Sequence, residues 1–155
     1  MGEQVSSFTI FADYHQIWVE DETSENDAPG DGWNDLTLGL RLLALPGLVN
    51  IATARNTTVP VTAVVRERAP EDDLTGWDHV AEASLETPSG HVIFSSPLGI
   101  PAARLIVPPG SYRVRVYFAG LGTLSADGLQ GADHYRIVLW PDAYTEPRLL
   151  RAWLP

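Results

Sequence analysis

The sequence predicts an all-β fold, an antiparallel β-sandwich of about eight strands with at most one short helix. Three observations carry this. Short runs alternate apolar and polar residues with a period of two. Gly, Pro, Asp and Asn punctuate those runs at regular intervals. The run from Tyr112 to Phe118 sets Tyr112, Val114, Val116 and Phe118 on one face and Arg113, Arg115 and Tyr117 on the other, the pattern of a half-buried antiparallel strand. Many short strands punctuated in this way suit a sandwich or a barrel. The sandwich is the reading adopted, as a single domain over 1–155, since 155 residues bury a substantial core without staples.

Taken in order, Ser6 to Phe11 alternates Phe8 and Ile10 against Ser7 and Thr9. His15 to Val19 places Ile17 and Val19 together. Asn34 suits the cap of a short helix over Asp35 to Leu45, and Asp35 suits the positive end of its dipole. Leu36, Leu38, Leu40 and Leu42 also alternate, so a strand stays open there. Pro46-Gly47 closes the element. Leu48 to Ala54 and Val59 to Arg66 read as strands joined by a four-residue turn, which predicts a hairpin. Trp77 to Glu86 is expected to point His79, Ala81, Ala83 and Leu85 inward. After the tight turn Pro88-Ser89-Gly90, His91 to Ser95 is expected to pair back onto it. Ala103 to Val107, then Tyr112 to Phe118, then His134 to Trp140 with Tyr135, Ile137 and Leu139 inward, follow. Arg148 to Trp153 is expected to add an edge strand.

Charge narrows the function. The net charge is -10, so phosphate backbones and anionic membranes are repelled, and neither nucleic acid nor membrane is an expected partner. With no cysteine, thiolate metal sites and cysteine nucleophiles are excluded. All ten cations are arginine, which excludes Schiff-base chemistry and a P-loop lysine. No signal peptide and no membrane span is read, so the expected location is the cytoplasm.

The acids concentrate. Glu20 to Asp35 holds seven carboxylates, no cation, and Trp33. A second cluster, Glu71, Asp72 and Asp73, lies near Trp77 and Asp78. Asp27 to Gly32 does not match a calcium-loop consensus, because Leu38 stands where its final Glu belongs, so no metal and no cofactor is expected. Trp is a favoured interface anchor. The expected partner-binding residues are therefore Asp21, Glu22, Glu25, Asp27, Asp31, Trp33 and Asp35, facing a basic protein. The four histidines make no ligand pair, no nucleophile-elbow motif is present, and Gly120-Leu121-Gly122 lacks the third glycine of a dinucleotide site, so no catalytic residue is named. Trp18, Trp77, Trp140 and Trp153 leave open a sugar-stacking face, although packing explains them as well. Arg113 and Arg115 are read as an exposed row, with Glu82 and Glu86 forming cross-strand ion pairs to them.

The order of small motifs resembles a known family. Tyr14-His15-Gln16 opens an early strand, and an acidic stretch, Trp33-Asn34-Asp35 and a Leu-rich element follow. A later strand ends in Arg55-Asn56-Thr57, and Pro109-Gly110-Ser111-Tyr112 opens another. This resembles the competence protein J family, small acidic bacterial inhibitors of a DNA-entry nuclease. The resemblance implies a non-enzymatic inhibitor of a basic partner such as a nuclease; a toxin domain would suit the same loops. Two alternatives come from other classes: a carbohydrate- or Ca²⁺-dependent ligand-binding module, and a hydrolase whose carboxylates the sequence does not single out.

Overall fold

The computed structural model describes residues 3–25 and 31–154. Two sheets face each other. The first has six strands in the order β1 (Gln4–Phe11), β5 (Thr58–Val65), β10 (His134–Pro141), β9 (Gly110–Ala119), β6 (His79–Thr87) and β11 (Arg148–Arg151). The second has five: β3 (Leu42–Leu45), β4 (Leu48–Ala52), β2 (Gln16–Asp21), β7 (His91–Ser95) and β8 (Ala103–Ile106). Among the described residues there is one α-helix, α1, over Asp35–Leu40, besides a short 3-10 turn at Asp13–His15. The all-β sandwich reading holds, with eleven strands among the described residues against the about eight that the sequence predicts. All ladders are antiparallel except β5 with β10. Among the described residues no helix is long and apolar enough to cross a membrane.

The inward faces follow the sequence pattern. Ile10, Ile17, Val19, Ala81, Ala83, Leu85, Val114, Val116, Phe118, Tyr135, Ile137 and Leu139 all lie in one buried core between the sheets. Each fully buried Val, Leu, Ile or Phe contributes ~1.5–3 kcal/mol, so this layer dominates stability. The two readings of Asp35 to Leu45 are both realised in succession. Asn34 caps α1 through a reciprocal pair of bonds with Thr37, Arg41 ends it in the left-handed conformation, and the alternation then continues as β3.

Neighbour relations were the weak point. β4 and β5 make no hairpin: β4 pairs with β2 and β3, while β5 crosses to the other sheet between β1 and β10. Likewise β7 does not pair back on β6 but joins β2 and β8. The turn at Pro88-Ser89-Gly90 carries the chain from one sheet to the other. Gly90 has φ of +71°, and a Cβ there would overlap the Val107 carbonyl oxygen. Alternation reports which face of a strand is buried, but not which strand satisfies its edge.

The outer face of the first sheet is covered too. Residues 66–78 cross it, and with β11 they enclose a second cluster of Val64, Val80, Tyr117, Val138 and Trp140, flanked by Leu74, Trp77 and Leu150. This corrects the expectation for Arg113 and Arg115, which are only 4% and 3% exposed. The cross-strand pairing itself is present, Glu82 opposite Arg115 and Ser84 opposite Arg113, but it is buried. Glu86 lies outside it and is exposed.

Candidate functional site

The acidic segment does not stay together. Its first carboxylate, Asp21, continues the inward face of Ile17 and Val19 and is 2% exposed. It accepts bonds from the Thr87 hydroxyl (2.5 Å), the Ser89 hydroxyl (2.6 Å), the Ser89 N–H (3.2 Å), the Thr23 N–H (2.9 Å) and the Thr23 hydroxyl. Burial opposes its charge, but the bonds from Ser89, Thr23 and Thr87 outweigh that and hold the carboxyl well below the usual carboxylate range. Asp21 therefore bolts the two sheets together and presents no charge to a partner. Glu20 bonds the Ser95 hydroxyl (3.1 Å), and burial pushes its carboxyl upward. Glu22 pairs with Arg104 at 2.6 Å, and Glu25 is exposed. Asp27 lies outside the described residues. Asp31 and Asp35 are exposed, and Trp33 between them is half-buried.

Strand registers show where these residues go. Gln16 is opposite Ala52, and Ile17 and Leu42 are both opposite Ile51. Glu20 and Leu45 are both opposite Leu48. The segment thus leaves β2 at one end of the sandwich and enters α1 at the other. Glu22 and Glu25 belong to the first end, Asp31 and Asp35 to the second.

That second end also gathers apolar side chains in the open. Its loops and turns carry Phe11 (41% exposed), Tyr14 (71%), Leu36 (75%), Leu38 (55%), Leu98 (51%), Ile100 (69%), Leu129 (47%) and Leu154 (84%). Leu36, Leu38, Leu40, His79, Trp153 and Leu154 line a groove of ≈ 400 Å³ between α1 and the C-terminal segment. Asp13, Asp31, Asp35 and Asp127 stand around this end. The arginines near it are Arg41, half-buried with its guanidinium 5.4 Å from the Trp153 ring, the exposed Arg151, and the buried Arg55, which is paired with Asp133. Exposed apolar groups gathered at one end and rimmed by polar, mostly acidic side chains mark an interaction surface more strongly than scattered leucines do.

The centre of this end is built by the two triplets noted in the sequence, although some forty residues separate them. Tyr14 and His15 both have left-handed backbone, φ +53° and +62°. The Tyr14 N–H donates to the Asn56 side-chain oxygen (2.8 Å), Ala12 N–H to the Thr57 carbonyl (2.9 Å), and Thr53 N–H to the His15 carbonyl (2.9 Å). Arg55 beneath them is buried, ion-paired with Asp133 and bonded to the Leu129 carbonyl (3.2 Å). The Tyr135 hydroxyl donates to Asp133 and accepts from the Ala54 N–H (2.8 Å), and burial together with Asp133 raises its pKa. Two consecutive non-glycine residues held left-handed store strain that only surrounding structure maintains. Here it sets the exposed Tyr14 ring at the tip of the fold. Because the ring buries little, Tyr14→Gly is expected to be more stable than Tyr14→Ala by roughly 0.5–1 kcal/mol, the reverse of the usual order. Urea denaturation of the two variants checks this; Ala above Gly would mean the turn is not strained.

Two solved structures share this fold. One is the crystal structure of ComJ from Bacillus subtilis, described as an inhibitor of the DNA degrading activity of NucA, with a TM-score of 0.64, 17% identity, and coverage of 90% of this chain and 96% of that chain. The other is described as crocagin biosynthetic gene J, with a TM-score of 0.63, 21% identity, and coverage of 92% of this chain and 100% of that chain. No family model and no curated protein matches the chain. The resemblance read from the small motifs to the competence protein J family therefore holds as a likeness of fold along nearly the whole chain.

The remaining sequence candidates are dispersed. Trp18 points out from the second sheet, Trp77 and Trp140 belong to the covered outer face of the first, and Trp153 packs beside Arg41, so the tryptophans form no row. His79 is buried between the Leu40 carbonyl (2.9 Å) and the Trp153 N–H (3.2 Å), and burial lowers its pKa. His91 bonds Arg104, His134 stacks near Trp77, and His15 lies against the Thr53 carbonyl. Among the described residues no three His, Asp or Glu side chains are grouped to hold a metal ion.

Proposed function

We propose that this chain is a non-enzymatic protein that docks on a basic protein partner and blocks it, and that the partner is a nuclease. The observation that carries the reading is the end of the sandwich where Asp31 and Asp35 meet the exposed Leu36, Leu38, Tyr14 and Leu154. An active site made to hold a polyanion is lined with cations, and an acidic surface competes for it while raising the association rate. Apolar side chains at the centre of such a surface supply the affinity that screened charges do not. The likeness to ComJ supports the choice of a nuclease, because that protein is described as a nuclease inhibitor.

The docking set proposed is Asp31, Trp33 and Asp35 together with Leu36 and Leu38, and Asp27 joins it on its place in the sequence. Glu22 and Glu25 leave from the opposite end and serve as controls. A low-salt pulldown from the native lysate is expected to recover a partner of high pI that degrades DNA, and added protein is expected to suppress that activity. Asp31→Asn with Asp35→Asn should slow association several-fold, an effect that fades as salt shortens the Debye length below roughly 10 Å. Leu36→Ser with Leu38→Ser should speed dissociation. Glu22→Gln with Glu25→Gln should do far less. Equal association and equal dissociation rates for all three pairs would remove this end as the docking surface.

A further inference from the structure

On another face, the outer side of the first sheet, the covering residues 66–78 leave a hollow of ≈ 350 Å³. Tyr117 and Val138 form its floor, and the half-buried Trp77, 5.3 Å from the Tyr117 ring, forms a wall. Arg136 enters it from β10, directly opposite Tyr117. Three neighbouring arginines on this side of the sheet, Arg113, Arg115 and Arg148, are committed. Arg115 holds Glu82 and Asp72, Arg113 holds Glu82 and the carbonyls of Thr145 and Glu146, and Arg148 holds Glu82. Arg136, which lines the hollow, has no hydrogen-bond or ion-pair partner among the described residues, in a chain with twice as many acids as arginines. Glu71 and Asp73 line the same hollow without pairing with it. The Trp77 indole N–H likewise donates to no described residue. Arg66, at the mouth, has one exposed contact to Glu3 at 3.4 Å.

We infer that this hollow binds a small aromatic carboxylate, its carboxyl group on Arg136 and its ring against Trp77, Tyr117 and Val138. A free guanidinium offers a planar two-point donor that matches one carboxylate, and an aromatic wall beside it takes a flat apolar body. The rim acids Glu71 and Asp73 repel multiply charged anions, which selects a monoanion over phosphate or nucleic acid. Free aromatic acids and peptides ending in an aromatic residue share this chemistry. The inference is independent of the docking proposal, since it concerns a different face.

Titration calorimetry with N-acetyl-L-tryptophan and with the peptide Gly-Gly-Gly-Trp is the test. Saturable binding of at least one is expected, weakened at least tenfold for the corresponding amide and for Arg136→Gln, and unchanged for Arg104→Gln. The tighter of the two probes identifies the source, free acid or chain end. No saturable binding of either probe, equal binding of acid and amide, or full binding by a folded Arg136→Gln variant would overturn the inference. Displacement by equimolar inorganic phosphate would overturn the aromatic part of it.

Discussion

Glu82→Ala is expected to destabilise the protein by roughly 3–5 kcal/mol, enough to leave it partly unfolded at room temperature. The Glu82 carboxylate meets the Arg115 side chain at 2.9 Å, Arg148 at 3.2 Å and Arg113 at 3.6 Å. Arg113 and Arg115 are buried under the second cluster, and Arg115 lies 5.3 Å from the Trp140 ring. Without Glu82 two guanidiniums lose their shared buried counter-charge. Arg115 keeps Asp72, whose side chain is 70% exposed, and a long bond to the Tyr117 hydroxyl, while Arg113 keeps neutral oxygens. Glu82→Gln retains the shape and some of the bonding and should fall between wild type and Ala. Arg115→Ser should also cost several kcal/mol, because it leaves Glu82 undercompensated. Urea denaturation at pH 7 decides: a Glu82→Ala cost below about 1 kcal/mol would mean that water reaches the cluster.

Asp21→Ala is expected to cost roughly 3 kcal/mol at pH 7, since it removes the acceptor of the Thr87 and Ser89 hydroxyls at the end of the sandwich where the chain leaves β2. It should also change the response to acid. The folded-state pKa of Asp21 is depressed, so its stabilisation is fully present above the unfolded value near ~3.9 and is lost as pH falls below that toward the folded value. Wild type should therefore lose stability steeply below about pH 4, and Asp21→Asn should show a shallower loss there. Thermal melts from pH 7 to pH 2 measure both slopes. Parallel curves would mean that Asp21 does not carry the acid transition. Glu25→Ala, exposed on the same segment, should stay within about 0.5 kcal/mol of wild type.

Asp21 and Asp35 show why composition was an uneven guide to the site. They stand fourteen positions apart in one acidic run and read alike as solvated charges. The distinction was present in a weak form. Asp21 falls on the same parity as Ile17 and Val19, so the alternation that predicted β2 also pointed its carboxylate inward. What made that position acceptable for a charge was Thr87 and Ser89, contributed by a strand end and a turn sixty-six and sixty-eight residues away. The Tyr14 tip was hidden for the same reason. Nothing in Tyr14-His15-Gln16 announces two left-handed residues, because their conformation is held by Asn56 from the connection between β4 and β5.

The sequence by itself determined the strand class, the inward face of most strands, the cap at Asn34 and the negative charge of the loops. These depend on neighbours a few positions apart, where side-chain periodicity and local hydrogen bonds act directly. Only the tertiary structure decided which strands share a sheet, that Arg113 and Arg115 are covered, and that Asp31, Asp35, Leu36 and Tyr14 come to one end. Those outcomes depend on how two sheets and a covering segment stack. An outward-facing arginine reads identically whether water or a second layer lies above it, and the answer belongs to residues 66–78 rather than to the strand that carries the arginine.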